Sequence, residues 1–319
     1  MKINELGEFG LINRITRKTD NPRVVVGVGD DAAVLREGKD LLLYTTDMLV
    51  EDDHFRMDWA TPEQIGRKAM ASNISDIAAM GGIPEFALIS VSLTKNTEVE
   101  VVEGIYEGIY QVAERYGVEI IGGDTTHGKL MVLNVVVTGS VEKEHLCLRS
   151  GAKPGDYILV TGALGGSRAG LELLLKGLKK PEKPVKKHLD PGCRMDISRK
   201  VASVANAMID VSDGLASEVG HICERSGVGA LVEKENIPLY EGTEMVGEIV
   251  KKDPYEFALN GGEDFELVFT VSKENLERAM EFGQVVGKIV ERERGILLKD
   301  RNGKITNLKG GYDHFRNNE

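Results

Sequence analysis

Four apolar, β-prone runs in this sequence end in glycine, threonine or a direct step into aspartate. Residues 24–28 lead into Gly29-Asp30-Asp31, 41–43 into Thr45-Thr46-Asp47, 118–121 into Gly122-Gly123-Asp124, and 208–209 into Asp210-Val211-Ser212-Asp213. Such runs read as strands, and glycine at a strand end lets the backbone turn tightly beneath adjacent carboxylates. Helical stretches lie between them. Thr61, Pro62 and Gln64 supply an N-cap, a first-turn proline and a capping-box partner, after which Met70, Ile74, Ile77 and Ala78 recur at helical spacing up to Gly81-Gly82. That phase predicts Ser72, Asn73 and Asp76 together on the opposite, polar face.

The same reading predicts strands over 86–93 and 130–141 and a helix over 101–116 in the first half. The second half offers strands over 157–160, 230–232 and 266–271, and helices over 167–176, 194–205 and 215–226. The lysine-rich stretch 176–187, interrupted by Pro181 and Pro184, reads as a solvated loop. Strand and helix patterning in both halves supports α/β or α+β layers rather than a bundle or sandwich. A chain of 319 residues exceeds the ~250–300 at which single cores stop growing. The turn-rich joint 149–156, with Gly151, Pro154 and Gly155, divides it into expected domains 1–150 and 151–319.

Charge narrows the partners. With 51 acidic against 40 basic side chains, the net charge of −11 opposes binding to nucleic acid. Three cysteines, Cys147, Cys193 and Cys223, form no Cys-x-x-Cys pair, so neither a disulfide framework nor a zinc knuckle is expected, and a reducing cytoplasm fits. Lys2, Glu5 and Glu8 interrupt the N-terminus, and no run approaches the ~18 apolar residues of a membrane span. The expectation is a soluble, cytoplasmic protein.

The acidic strand ends carry the chemistry. Carboxylates beside hydroxyls are hard oxygen ligands of the kind Mg²⁺ accepts together with phosphate oxygens. Each also has a plain structural reading: Asp30-Asp31 as a turn, Asp47 as a loop cap, Asp76 as a solvated helix residue, Asp213 as the N-cap of a helix starting at Gly214. A helix N-terminus there would also suit phosphate. The sequence contains no Gly-x-x-x-x-Gly-Lys-Ser/Thr loop, no protein-kinase motif set, no Gly-x-Ser-x-Gly elbow and no His-Glu-x-x-His pair. Residues 162–166 are glycine-rich before a helix and read as a structural turn.

Taken together, GEFGLI (7–12), GDD (29–31), TTDMLVEDDHF (45–55), NISDIAAMGG (73–82), GGDTT (122–126), RSGAKPGD (149–156), DVSDGL (210–215), GGEDFEL (261–267) and GYDHF (311–315) resemble the thiamine-monophosphate kinase family, in order, across nearly the whole chain. The resemblance implies the aminoimidazole-ribonucleotide synthetase superfamily fold: an N-terminal α/β domain whose sheet closes a β-barrel on homodimerisation, and an α+β C-terminal domain. It implies ATP-dependent phosphorylation of thiamine monophosphate to the diphosphate, and a phosphate acceptor whose second ionisation lies near pKa ~6 needs no general base. Positions matching Asp31, Thr45, Thr46, Asp47, Asp76, Asp124, Asp210 and Asp213 are expected to hold several Mg²⁺ ions. Those matching Tyr106, Gly123, Asp124, Arg149 and Ser212 are expected at ATP, and His54, Glu263 and Tyr312 at the thiamine substrate. The chain departs from the family at Asp52 and Asp53, where Gly and a small apolar residue are usual.

Rival readings are another ATP-using enzyme of that superfamily and a non-catalytic nucleotide or metal sensor. The first cysteine at Cys147 speaks against selenophosphate synthetase, and the cysteine-free stretch 315–319 against hydrogenase-maturation relatives. Glu263 and Tyr312, on the substrate side, speak against a sensor.

Overall fold

The computed structural model describes residues 2–315; the end of the chain beyond Phe315 lies outside the described residues. A six-stranded sheet is formed by β1 (Val24–Val26), β2 (Ala33–Glu37), β3 (Asp40–Val50), β4 (Ile83–Leu93), β5 (Glu119–His127) and β6 (Val132–Val141), in the order β1-β2-β3-β6-β4-β5. Only β4 and β5 are parallel, with the helix Val99–Tyr116 between them in the chain. In β6, Leu133, Val135 and Val137 alternate inward against the helix Pro62–Ala79.

Several elements differ from expectation. The strand β2 lies between the first two predicted runs, where Ala-Val-Leu-Arg-Glu is too short to stand out. The helix Pro62–Ala79 starts at the predicted capping box, yet Ser72, Asn73 and Ser75 are buried, so its polar side faces protein rather than water. Strand β5 runs through Gly122 to Thr126 instead of ending before them. At Gly123 the backbone of β4 comes so near that a Cβ would sit 1.7 Å from the Ile89 carbonyl oxygen. That close approach requires glycine within the strand.

The second sheet has seven strands: β7 (Tyr157–Val160), β8 (Ala207–Asp210), β9 (Gly229–Glu233), β10 (Leu267–Val271), β11 (Gln284–Val290), β12 (Ile296–Lys299) and β13 (Ile305–Asn307), ordered β13-β12-β9-β11-β7-β10-β8. The helix Leu215–Ser226 matches its prediction and ends on left-handed Gly227. The predicted helix 194–205 contracts to Ser198–Ala202, and the lysine-rich stretch contains the helix Glu182–Leu189, which buries Val185 and His188.

The two sheets make a two-domain α/β fold whose halves share packing. Ala79 and Cys147 lie in one apolar cluster with Leu159, Met208 and Phe269, while Phe265 packs into the core beneath the first sheet. All three cysteines are buried and free. Among the described residues, no helix is long and apolar enough to cross a membrane.

Candidate active site

The seam between the halves gathers acids from separate elements. Asp31 follows β1, Asp76 projects from the helix Pro62–Ala79, and Asp210 ends β8; one carboxylate oxygen from each lies within 4.8 Å of the others. Ser75 Oγ donates to Asp210 Oδ2 at 2.6 Å, and the Thr45 hydroxyl donates to Asp76. The Arg149 guanidinium donates to Asp31 Oδ1 at 2.7 Å, and the Arg149 amide donates to Asp30. The other Asp31 oxygen, Oδ2, is buried without a hydrogen-bond partner among the described residues.

Burial and mutual repulsion push these carboxyls upward. Asp210 rises to about 8 through burial and the charge of Asp31, and Asp76 rises well above its ordinary value through burial and then Asp47. Asp31 and Asp47 are also raised, burial being the main cause in each. Clustered hard oxygens, an orphaned carboxylate oxygen and excess negative charge fit a divalent cation such as Mg²⁺.

Alternation along β3 separates the expected ligands. Thr45 and Asp47 share one face, while Thr46 lies on the other, where its hydroxyl donates to Asn134. The amide of Asp47 donates to the side chain of Asn73. Gly123 and Asp124 lie on exposed β5, and no side-chain hydrogen bond or ion pair engages Asp124 among the described residues. Tyr106 is half-buried against the first core, beside Tyr110.

A cleft of about 610 Å³ opens next to the acids, lined by Asp47, His54, Lys68, Ser212, Asp213, Glu263 and Tyr312 among others. Asp213 does not cap the following helix. Gly214 holds that position, while the Asp213 amide donates to Glu218 and its carbonyl accepts from the Tyr312 amide. Burial and the charge of Glu8 raise the Asp213 carboxyl to about 7. Glu263 is held with φ at +63°, in the left-handed region where non-glycine residues are strained. Its amide donates to the Ser212 carbonyl, and a Cβ on neighbouring Gly262 would lie 2.0 Å from that same oxygen. Glycine therefore lets the loop bring Glu263 against the second acidic segment.

Lys68 and Glu218 are functional candidates that the sequence reading missed. Lys68 is 2% exposed and donates to the His54 carbonyl and to Glu263. It shares a stripe with Ser72 and Asp76 at four-residue spacing, which is the signal that could have found it. Glu218 is buried behind Asp213, its carboxyl raised well above the ordinary value by burial and that neighbour. Asp52, by contrast, is an exposed turn residue at φ +68°, a conformation glycine adopts freely and aspartate tolerates.

Two α/β units joined around an acid-lined cleft define a class of enzymes: the AIR synthase related protein, N-terminal domain, matches residues 29–141, and the corresponding C-terminal domain matches 153–300. Thiamine-monophosphate kinase of Aquifex aeolicus is 39% identical over 99% of this chain and 100% of its own, and that of Bacillus subtilis is 39% identical over 98% and 100%. The chain belongs to the thiamine-monophosphate kinase family. The solved structure of AaThiL complexed with AMPPCP and TMP superposes with a TM-score of 0.88 at 37% identity, covering 98% of this chain and 99% of that one.

Proposed function

We propose that this protein transfers the γ-phosphoryl group of ATP to thiamine monophosphate, giving thiamine diphosphate and ADP. The observation that carries this reading is one cleft in which Asp47, Ser212 and Asp213 face His54, Glu263 and Tyr312 beside the Asp31–Asp76–Asp210 cluster. The 37%-identical relative with AMPPCP, an ATP analogue, and TMP supports both ligands.

In this reading Asp31, Thr45, Asp47, Asp76, Asp210 and Asp213 hold Mg²⁺, with Thr46 and Asp124 as further members of the set. Bound Mg²⁺ would supply charge neutralisation between donor and acceptor phosphates. Arg149, fixed by Asp31, presents its guanidinium to ATP, with Tyr106, Gly123, Asp124 and Ser212 completing that side. Tyr312 and His54 offer rings to the cationic thiamine moiety, and Glu263, anchored by Lys68, offers it a carboxylate.

The acceptor phosphate has a second ionisation near pKa ~6, so its attacking oxygen is deprotonated at neutral pH and no general base is required. That oxygen attacks the γ-phosphorus as the bond to the β-phosphate oxygen breaks. The exposed edge strand β5 and the outward side chains Tyr44, Met48, Phe86 and Leu88 support a homodimer in which two such sheets close a barrel. The buried free cysteines suit a cytoplasmic setting. Purified protein supplied with ATP, Mg²⁺ and a panel of monophosphates tests the reading: thiamine diphosphate is the expected product, and preference for an unrelated monophosphate would overturn the acceptor.

A further inference from the structure

Asp53 lies at the cleft mouth in the turn after β3, and its carboxylate meets two imidazoles, one from its neighbour His54 and one from His314 near the C-terminus. Its Oδ2 is 3.6 Å from His54 Nδ1 and 3.7 Å from His314 Nδ1, and the two rings are 5.1 Å apart. One ligand atom from each residue lies within 4.8 Å of the other two. From this geometry we propose that Asp53, His54 and His314 form a second metal site, selective for a borderline dication of the Zn²⁺ class and separate from the Asp31–Asp76–Asp210 acids.

The distances support this reading. Ligands at bonds of ~2.0–2.2 Å around a tetrahedral ion stand roughly 3.3 Å apart, so each aspartate–histidine pair needs to close by only a few tenths of an ångström, while the two imidazole nitrogens lie within 4.8 Å of each other. Two nitrogens and one carboxylate oxygen match Zn²⁺, Co²⁺ or Ni²⁺ rather than Mg²⁺, which takes oxygen alone. Val50 N–H donates to His54 Nδ1 at 3.2 Å, and ligation through that nitrogen would give up this long hydrogen bond, worth ~1 kcal/mol. The cleft walls carry Glu8, Asp47, Asp213 and Glu263 against Lys68 and Arg168, an acidic excess that attracts a dication.

A bound ion would fasten the C-terminal segment carrying His314 to the turn carrying His54, across the opening of the cleft. His54 is also the ring offered to thiamine in the function proposed above, so the site is tested without substrate. Its test is a titration of the full-length protein with Co²⁺ in excess Mg²⁺, read by the visible d–d bands of nitrogen-ligated cobalt. Wild type and Asp52→Asn should develop the bands at one ion per chain, and Zn²⁺ should erase them. Asp53→Asn and His314→Gln should bind Co²⁺ weaker by roughly tenfold or more. Unchanged bands in Asp53→Asn, or equal loss in Asp52→Asn, would overturn the proposal, since Asp52 is exposed and carries the same charge without an ion pair to either imidazole among the described residues.

Discussion

Lys68 Nζ donates to Glu263 Oε2 at 2.8 Å, tying a helix of the first domain to a strained loop of the second. The same ammonium donates to the His54 carbonyl, so one buried cation organises three of the walls around the cleft. Burial alone works against the Glu263 charge, but Lys68, with His188 and His54, holds its carboxyl below the ordinary value.

Removing the cation strands that carboxylate. Lys68→Met should destabilise the protein by about 3 kcal/mol, the low end for breaking a buried pair, because Glu263 retains some contact with solvent. Lys68→Met with Glu263→Gln should recover part of that loss. Urea unfolding of the single and double variants reads the coupling directly, and additive losses would show that the pair is not a unit.

Asp210→Asn separates function from stability. Three carboxylates within 4.8 Å repel one another, so the neutral side chain should raise the melting temperature of Mg²⁺-free protein by a few degrees, at about 2–4 °C per kcal/mol. Turnover should fall by roughly 10²-fold or more if Asp210 is a ligand of the proposed Mg²⁺. Calorimetry beside the kinase assay checks both. A less stable apo variant would mean that Ser75 and the surrounding hydrogen bonds outweigh the repulsion.

Acid sensitivity should draw on His188 together with His221, whose imidazole is lowered to about 4 by burial and then by the Arg149 charge. The His188 imidazole is lowered to about 3 by burial and then by the Lys68 charge, while the unfolded chain titrates near 6.5. The unfolded state therefore binds the proton first as pH falls. The His188 contribution is fully present above pH ~6.5 and is lost progressively down to about 3, at ~1.4 kcal/mol per pH unit. His188→Gln should show a shallower fall than wild type in denaturation midpoints measured from pH 7 to 4; parallel curves would assign the acid response to other groups.

The legible parts of the cleft are those where strand and loop chemistry change together. Asp31 and Asp210 lie at the ends of β-prone runs, and Thr45 and Asp47 fall on one face by simple alternation. Asp76 was legible as a helix residue, but its surroundings were not: the face that periodicity marks as polar packs on Thr45 and Asp47 of β3 and, through Ser75, on Asp210 of the second half. Lys68 escaped notice for the same reason, because a lysine on such a face ordinarily reaches water. Asp124 was expected in a loop, yet β5 continues through it because Gly123 permits close pairing with β4. Long-range packing decided each of these differences.

That same strand supplies the test of assembly. Nearly every residue of β5 is exposed, and Ile121 remains 61% accessible although it belongs to a hydrogen-bonded strand. An edge this long and this exposed is a template for pairing, and natural proteins seldom leave one uncovered. Wild-type protein should therefore scatter light as a dimer at micromolar concentration. Ile121→Lys places a charge where a second copy would cover it, while the folded monomer leaves that side chain in water. The variant should become monomeric with its circular dichroism unchanged. If Ile121→Lys remains dimeric, the contact lies elsewhere; if wild type is monomeric, the barrel closure proposed above fails.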